Sequence, residues 1–250
     1  ANRVLVWDPI PTANDEAPSV AIGQPDLYGT EPNAGGAASL ATLYGPVAVA
    51  SDGTRLVVAD QENHRVLVFS SIPASSGTSA DVRLGQATDA GTYANGGLTV
   101  SAWSLDTPAD VSVDDSGRVY IADQENNRIV IHTDITALAD RDDADLVVGQ
   151  ADFTSGEANE GDDEVDAYGL SGPAGAVVAN NVLSVADGGN HRVLAFNPAP
   201  IRSRPKASFA IGQPNLTSAV AKRGTAEGIY GPWSLASDGI RFFAVDAGDN

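Results

Sequence analysis

Residues 60–69 read Asp60-Gln61-Glu62-Asn63-His64-Arg65-Val66-Leu67-Val68-Phe69, and the pattern Asp-x-x-Asn-x-Arg followed by an apolar run returns along the chain. It begins again at Asp123 and Asp187, and successive arginines of the pattern lie 62, 63 and 64 residues apart. The chain starts inside the pattern, with Asn2-Arg3-Val4-Leu5-Val6-Trp7, and ends inside it, with Asp246-Ala247-Gly248-Asp249-Asn250. Because a Gly-Gln pair keeps the same period, the sequence indicates four repeats of about 62 residues. The pairs are Gly23-Gln24, Gly85-Gln86, Gly149-Gln150 and Gly212-Gln213.

Each repeat contains four short apolar runs that are typical of β-strands. In residues 47–59, two runs rich in Val and Leu flank Asp52-Gly53, and Asp-Gly between apolar runs predicts a hairpin because Gly accepts a positive φ. The run after the motif arginine and the run before Gly-Gln supply the third and fourth strands. A helical solenoid is excluded because no apolar period of 3.6 residues is sustained. Repeated four-stranded antiparallel sheets are typical of a β-propeller.

The Asp-x-x-Asn-x-Arg pattern resembles the core of the NHL repeat. In that family, the pattern marks the hairpin between the second and third strands of a propeller blade. The resemblance recurs in every repeat and implies an all-β propeller in which residues 1–250 form a single domain. Each repeat is longer than the usual blade of the family, and the extra residues lie between each Gly-Gln and the next Pro. These four insertions are residues 25–45, 87–107, 151–172 and 214–231.

Two arrangements of the chain ends fit the repeat. In the first, a four-bladed propeller of four-stranded antiparallel blades is closed by a last blade shared between about residues 1–24 and 233–250, which would hide both sheet edges. This arrangement requires an antiparallel ladder between residues 3–7 and 240–246. In the second, the chain is a segment of a longer propeller of about six or seven blades, and the matching ends reflect only the repeat. The first is the expected fold.

The repeated motif residues are interpreted as architecture. The Asp is expected to accept charge-assisted hydrogen bonds from the Arg across the strands, and the Asn is expected to tolerate a left-handed turn. Identical use in every copy favours a structural role, since function is usually confined to unique residues. The motif residues are Asp60, Asn63, Arg65, Asp123, Asn126, Arg128, Asp187, Asn190, Arg192, Arg3 and Asp246.

Composition argues against several classes of partner. A net charge of −19, from 33 acidic and 14 basic residues, argues against nucleic acid because a polyanion would be repelled. No apolar run approaches the roughly 20 residues of a membrane span. The absence of Cys excludes disulfides and thiolate zinc sites. A strongly acidic surface favours a secreted, cell-surface or periplasmic protein, which is expected to be a monomer.

The three histidines are the first place to search for an enzyme. The resemblance implies this search, since some NHL-type propellers are lyases that hold zinc with His, and related propellers use Glu, Asn and Asp on calcium for hydrolysis. Here His64 and His191 share one column of the repeat at a hairpin tip, and His132 ends a third strand at a packing position. No Gly-x-Ser-x-Gly, His-Glu-x-x-His or EF-hand pattern occurs. The sequence therefore shows no catalytic constellation.

The four insertions are expected to lie on one face of the propeller, beside the hairpins that carry the motif. Loops of this length are uncommon unless they are functional or disordered, and recognition usually resides in loops on a rigid scaffold. The third insertion is acidic and has no Lys or Arg, which suggests a Ca²⁺ site because hard cations prefer oxygen ligands. The alternative is a solvated acidic loop. The candidate ligands are Glu160, Asp162, Asp163, Glu164 and Asp166.

Aromatic side chains in or beside the insertions are candidates for a recognition surface, and the alternative is that they pack the insertions against one another. The candidates are Tyr28, Tyr93, Trp103, Phe153, Tyr168 and Tyr230. The predicted function is a non-catalytic binding or scaffold propeller that recognises a protein, glycan or other ligand through the long loops, with Ca²⁺ as the one candidate cofactor. The alternative function is a metal-dependent lyase or hydrolase with its site at the mouth of the channel.

Overall fold

The structure is a computed structural model that describes residues 1–248, and its strands form antiparallel sheets in the order of the chain. Three sheets have four strands each. They comprise β3 (Pro46–Ser51), β4 (Leu56–Asp60), β5 (Arg65–Phe69) and β6 (Val82–Leu84); β7 (Pro108–Val113), β8 (Val119–Asp123), β9 (Arg128–His132) and β10 (Leu146–Val148); and β11 (Pro173–Ala179), β12 (Val182–Asp187), β13 (Arg192–Phe196) and β14 (Phe209–Ile211).

Two further sheets have two strands each, and we call them half-blades. The first consists of β1 (Val4–Val6) and β2 (Val20–Ile22), and the second of β15 (Pro232–Ser237) and β16 (Phe242–Asp246). Short 3-10 helices complete the secondary structure. They span Pro32–Gly35, Ala94–Gly97 and Ala158–Gly161 in the insertions, and Gln61–Asn63 and Gly188–Asn190 in the motif hairpins.

The sheets pack face to face as the blades of a propeller. The first strands β3, β7, β11 and β15 lie side by side, and the outer strands pack through buried aliphatic and aromatic side chains between adjacent sheets. Tyr120 and Ile131 of one blade, for example, share a core with Val185 and Phe196 of the next. Burial on both faces explains why the second and third strands read as continuous apolar runs. The predicted all-β propeller architecture is confirmed.

The structure differs from the prediction at the chain ends. Within residues 1–248, β1 pairs only with β2 and β15 pairs only with β16, so residues 3–7 and 240–246 do not form the ladder that a shared blade requires. The first half-blade packs against β3–β6, and the second packs against β11–β14. Because these two sheets lie at opposite ends of the row, the described chain has three complete blades and two half-blades rather than four closed blades.

Candidate functional site

The motif residues form a buried network that ties each hairpin to the insertions beside it. Arg128 Nε lies 2.7 Å from Asp123 Oδ2, and both side chains are fully buried. The other guanidinium nitrogens donate to the carbonyl oxygens of Phe153, Ser101 and Ser104. The same contacts recur around Arg65 and Arg192. The geometry therefore assigns these residues to the scaffold.

A second repeated contact joins the motif Asn to an Asn of the insertion. Asn126 Nδ2 donates to Asn95 Oδ1 at 2.8 Å, and Asn95 Nδ2 donates back to Asn126 Oδ1 at 3.1 Å. The insertion residue adopts a left-handed conformation, with φ of 53°. The sequence analysis missed this element, although its signal is visible as Asn-x-Gly at a period of 62 and 64 residues. It occurs as Asn33-Ala34-Gly35, Asn95-Gly96-Gly97 and Asn159-Glu160-Gly161.

The Gln of each Gly-Gln pair anchors an insertion to a hairpin tip. Gln150 is fully buried, and its Nε2 donates to the carbonyl oxygens of Asn127 and Glu157 at 2.9 and 2.8 Å. Each of the other three glutamines likewise donates to a carbonyl at its hairpin tip and to one in the following insertion. Much of each insertion is therefore a repeated frame, and only its exposed residues differ between copies.

The histidines serve the contact between neighbouring blades. His64 and His191 adopt left-handed conformations at their hairpin tips, and their Nδ1 atoms accept hydrogen bonds from the backbone N–H groups of Thr107 and Gly231. Asn127 accepts the equivalent bond from Gly172 N–H through its side-chain oxygen. His132 is buried, and this burial lowers its pKa. Among the described residues, no three His, Asp or Glu side chains are placed to hold one metal ion.

The acidic segment of the third insertion does not gather its carboxylates around a common point. Glu160 forms a two-pronged ion pair with Arg204, at 2.8 and 2.6 Å. Asp166 Oδ1 accepts the backbone N–H groups of Tyr168 and Gly169. The remaining candidates, Asp162, Asp163 and Glu164, are exposed. Local hydrogen bonds and an ion pair thus occupy two of the five carboxylates, and the proposed Ca²⁺ site is not formed.

The candidate aromatic residues do not form one continuous surface. Three of them are covered by guanidinium groups, with Arg141 4.2 Å above Trp103 and Arg204 4.6 Å above Tyr168. Tyr230 is covered by Arg223 and also stacks on His191. Phe153 packs against the core between the second and third sheets, whereas Tyr28 and Tyr93 are exposed. Packing of the insertions therefore accounts for four of the six aromatic candidates.

A groove of about 500 Å³ lies between the second and third insertions, and we call it the insertion groove. Leu98 and Val100 provide its apolar lining, and the hydroxyl groups of Thr99, Thr154 and Ser155 lie along it. Its carboxylates come from Glu125 and Glu157, which are exposed, and from the Arg204-bound Glu160. Within the described chain, the carboxylates of Glu125 and Glu157 have no hydrogen-bonded or ionic partner, so they are available to a ligand.

A second cavity, of about 220 Å³, lies on the axis where the first strands of all four sheets meet. One column of these strands holds Ala48, Asp110, Gly175 and Ser234, so Asp110 is the single ionisable residue in this column. Asp110 Oδ2 accepts the backbone N–H of Ala176 at 2.9 Å. A Cβ atom at position 175 would lie 3.5 Å from this oxygen, so glycine leaves room for the carboxylate.

Burial raises the pKa of Asp110 to about 6. The folded protein therefore binds this proton more tightly than the unfolded chain, so the contribution to stability is present below pH about 4 and is lost as the pH rises to about 6. Asp110→Asn is expected to raise the free energy of unfolding near neutral pH by about 2 kcal/mol, and to leave it unchanged below pH about 4. Urea unfolding at both pH values measures this difference. An exposed control, Asp115→Asn, should change neither value, and equal stability of Asp110→Asn and the parent near neutral pH would refute the assignment.

Comparison with known proteins supports the repeat. Residues 105–131 match the family model of the NHL repeat, which confirms the resemblance. No curated protein sequence matches the chain. Residues 1–248 contain no helix with the length and hydropathy needed to cross a membrane.

Several solved structures share the fold at low sequence identity. An auxiliary nutrient binding protein from Bacteroides ovatus has a TM-score of 0.50 and 15% identity over 83% of this chain and 47% of that one. A chain of the nidogen/laminin complex has a TM-score of 0.43 and 18% identity over 82% and 56% of the two chains. Virginiamycin B lyase from Staphylococcus aureus has a TM-score of 0.43 and 12% identity over 81% and 49%. The chain spans about half the length of these structures, and the likeness shows the fold alone.

Proposed function

We propose that this chain is a non-catalytic binding module that holds a basic segment of another protein in the insertion groove. The observation that carries the proposal is the pair of exposed carboxylates, Glu125 and Glu157, beside an apolar lining in a groove of about 500 Å³. A carboxylate without a partner in the free protein can pair with an incoming Lys or Arg without first breaking an internal contact. Leu98 and Val100 can accept the alkyl stems of such side chains.

The groove stands on a rigid frame. Gln150 ties the backbone of Glu157 to the hairpin, and the Asn95–Asn126 pair ties the second insertion to the same hairpin. Because both walls are held before a ligand arrives, binding loses less conformational entropy than it would on free loops. The net charge of −19 would also attract a basic segment at long range and raise the association rate.

The alternative function, a lyase or hydrolase at the channel mouth, has weaker support. Asp110 could act as a base near neutral pH, since burial raises its pKa to about 6. However, the other residues that line the axial cavity are apolar or neutral, and they include Gln61, Trp233 and Ser234. A single carboxylate without a second acid, nucleophile or metal-ligand set among the described lining residues supports no specific reaction.

The test is a titration with a fluorescent peptide in which Lys and Leu alternate. The doubly substituted protein Glu125→Gln/Glu157→Gln is expected to bind about tenfold more weakly than the parent at low salt, because two attractive charges are lost. The difference should shrink as salt is added. The matched control is Asp115→Asn/Asp143→Asn, which removes two exposed carboxylates from loops outside the groove. Equal weakening by both double variants would show non-specific attraction, and no weakening by the groove variant would refute the proposal.

A further inference from the structure

We propose that two copies of this chain complete each other's half-blades, so that β15–β16 of one copy pairs with β1–β2 of the other to form a four-stranded hybrid blade. The first half-blade supplies the third and fourth strands of a blade, and the second half-blade supplies the first and second strands. This dimer departs from the monomer that the sequence predicts.

The first evidence is a divided motif network. In each complete blade, the Arg Nε atom donates to the Asp carboxylate at 2.7 Å. Arg3 Nη1 donates to the carbonyl oxygens of Leu27 and Gly29, but its Nε atom is buried without a hydrogen-bond partner. A buried unpaired N–H group carries a substantial free-energy cost, so Arg3 lacks the acceptor that its counterparts have.

The missing acceptor has a counterpart at the other end of the chain. Asp246 Oδ1 accepts the backbone N–H of Tyr230 at 2.8 Å, just as Asp60 Oδ1 accepts that of Tyr44 in a complete blade. Among the residues that the structure describes, no arginine pairs with Asp246. Each half-blade therefore holds one half of the same network, and the two halves are complementary in charge as well as in position.

The second evidence is the exposure of side chains that complete blades bury. Val49 of β3 is 50% exposed, whereas its counterpart Val111 is 3% exposed. Val245 of β16 is 54% exposed, whereas its counterpart Ala59 is fully buried. In the complete blades, these positions cover each other across the interface between neighbouring sheets. A second half-blade packed against β3–β6 would cover Val49 and Val245 together.

The third evidence is a loop that is shaped for a contact it does not make. In the row of sheets, a residue of left-handed conformation before each fourth strand donates its N–H to the fourth strand of the preceding sheet. Gly77, Arg141 and Arg204 make this bond to the carbonyl oxygens of Ala21, Arg83 and Val147, respectively. Asp15 holds the same position in the first half-blade, with φ of 60°. Its partner by the repeat is Ala210 of β14, on the opposite end of the row.

The arrangement has a closed form. Two copies related by a twofold axis would make two identical junctions, and their three complete blades each would combine with two hybrid blades into a ring of about eight, within the known range of propellers. The register of complete blades, in which Asp60 lies opposite Arg65 and Val58 opposite Leu67, places Ala244 opposite Leu5 in the hybrid blade. Opposite residues of antiparallel strands are close enough for a disulfide.

The test uses introduced cysteines, since the chain has none of its own. A Leu5→Cys protein mixed with an Ala244→Cys protein under mild oxidation is expected to give a disulfide-linked dimer, whereas Ser71→Cys mixed with Ala244→Cys should not. Light scattering of the unsubstituted protein should give twice the chain mass of 25.6 kDa. Arg3→Ala should shift this equilibrium toward the monomer by about tenfold or more.

Three outcomes would overturn the proposal. A monomeric mass for the unsubstituted protein at high concentration would exclude the dimer. Equal cross-linking of the Ser71→Cys control would show random collision. An internal disulfide in monomers that carry both Leu5→Cys and Ala244→Cys would show that the half-blades of one chain pair with each other.

Discussion

Arg128→Ala is expected to lower the free energy of unfolding by about 3–5 kcal/mol, because it removes one partner of a buried ion pair. Arg128 makes four contacts from a fully buried position, and these join three segments of the chain. The substitution would leave the carboxylate of Asp123, whose pKa burial already raises, without its cation. The carbonyl oxygens of Ser101, Ser104 and Phe153 would also lose their donor.

The matched control is Arg55→Ala. Arg55 forms its ion pair with Asp52 on an exposed hairpin, so its removal should cost less than about 1 kcal/mol. Urea unfolding of both variants, followed by fluorescence and by circular dichroism, measures the two differences. If the two substitutions prove equally mild, then the motif arginine is not a structural centre of the blade.

Gly149→Ala is expected to destabilise the fold by about 3 kcal/mol or more, from two separate causes. Gly149 has φ of 93°, which an L-residue with a side chain rarely adopts. A Cβ atom there would also lie 2.5 Å from Leu170 Cδ1, in the tightly packed start of the next blade. The backbone strain and the clash should both be lost from the folded state.

Gly53→Ala separates the two causes. Gly53 has φ of 89°, but a Cβ atom at that position would have no neighbour within 4 Å. Its substitution should therefore cost only the conformational strain, about 1–2 kcal/mol. The difference between the two variants in urea unfolding measures the close approach of Leu170. A cost at Gly149 no greater than that at Gly53 would mean that the blade interface adapts freely.

The repeat was predictable from the sequence because its physical causes are local. A buried Arg needs an acidic partner at a fixed offset, and the turn after Gly149 needs glycine, so both leave a visible period. The Asn-x-Gly element of the insertions was equally visible at Asn95, but was missed because the insertions were judged by their differences. A search for the period inside the insertions would have found it.

The features that depend on distant parts of the chain were less predictable. The carboxylates of residues 157–166 suggest a cation site in sequence, but Arg204 lies 44 residues from Glu160 and neutralises it in space. The exposed Glu125 and Glu157 become neighbours only because two insertions meet. The half-blades also show that matching ends of a repeat do not determine whether those ends pair within one chain.

The most direct test of the central claim, that repeated residues build the scaffold and unique residues bind, is one peptide titration with three proteins. The parent, Arg128→Ala and Glu125→Gln/Glu157→Gln are titrated with the Lys-Leu peptide at a temperature where all are folded. The account predicts that Arg128→Ala keeps the parental Kd, whereas the groove variant binds about tenfold more weakly. A loss of affinity in folded Arg128→Ala, together with a parental Kd for the groove variant, would contradict the account.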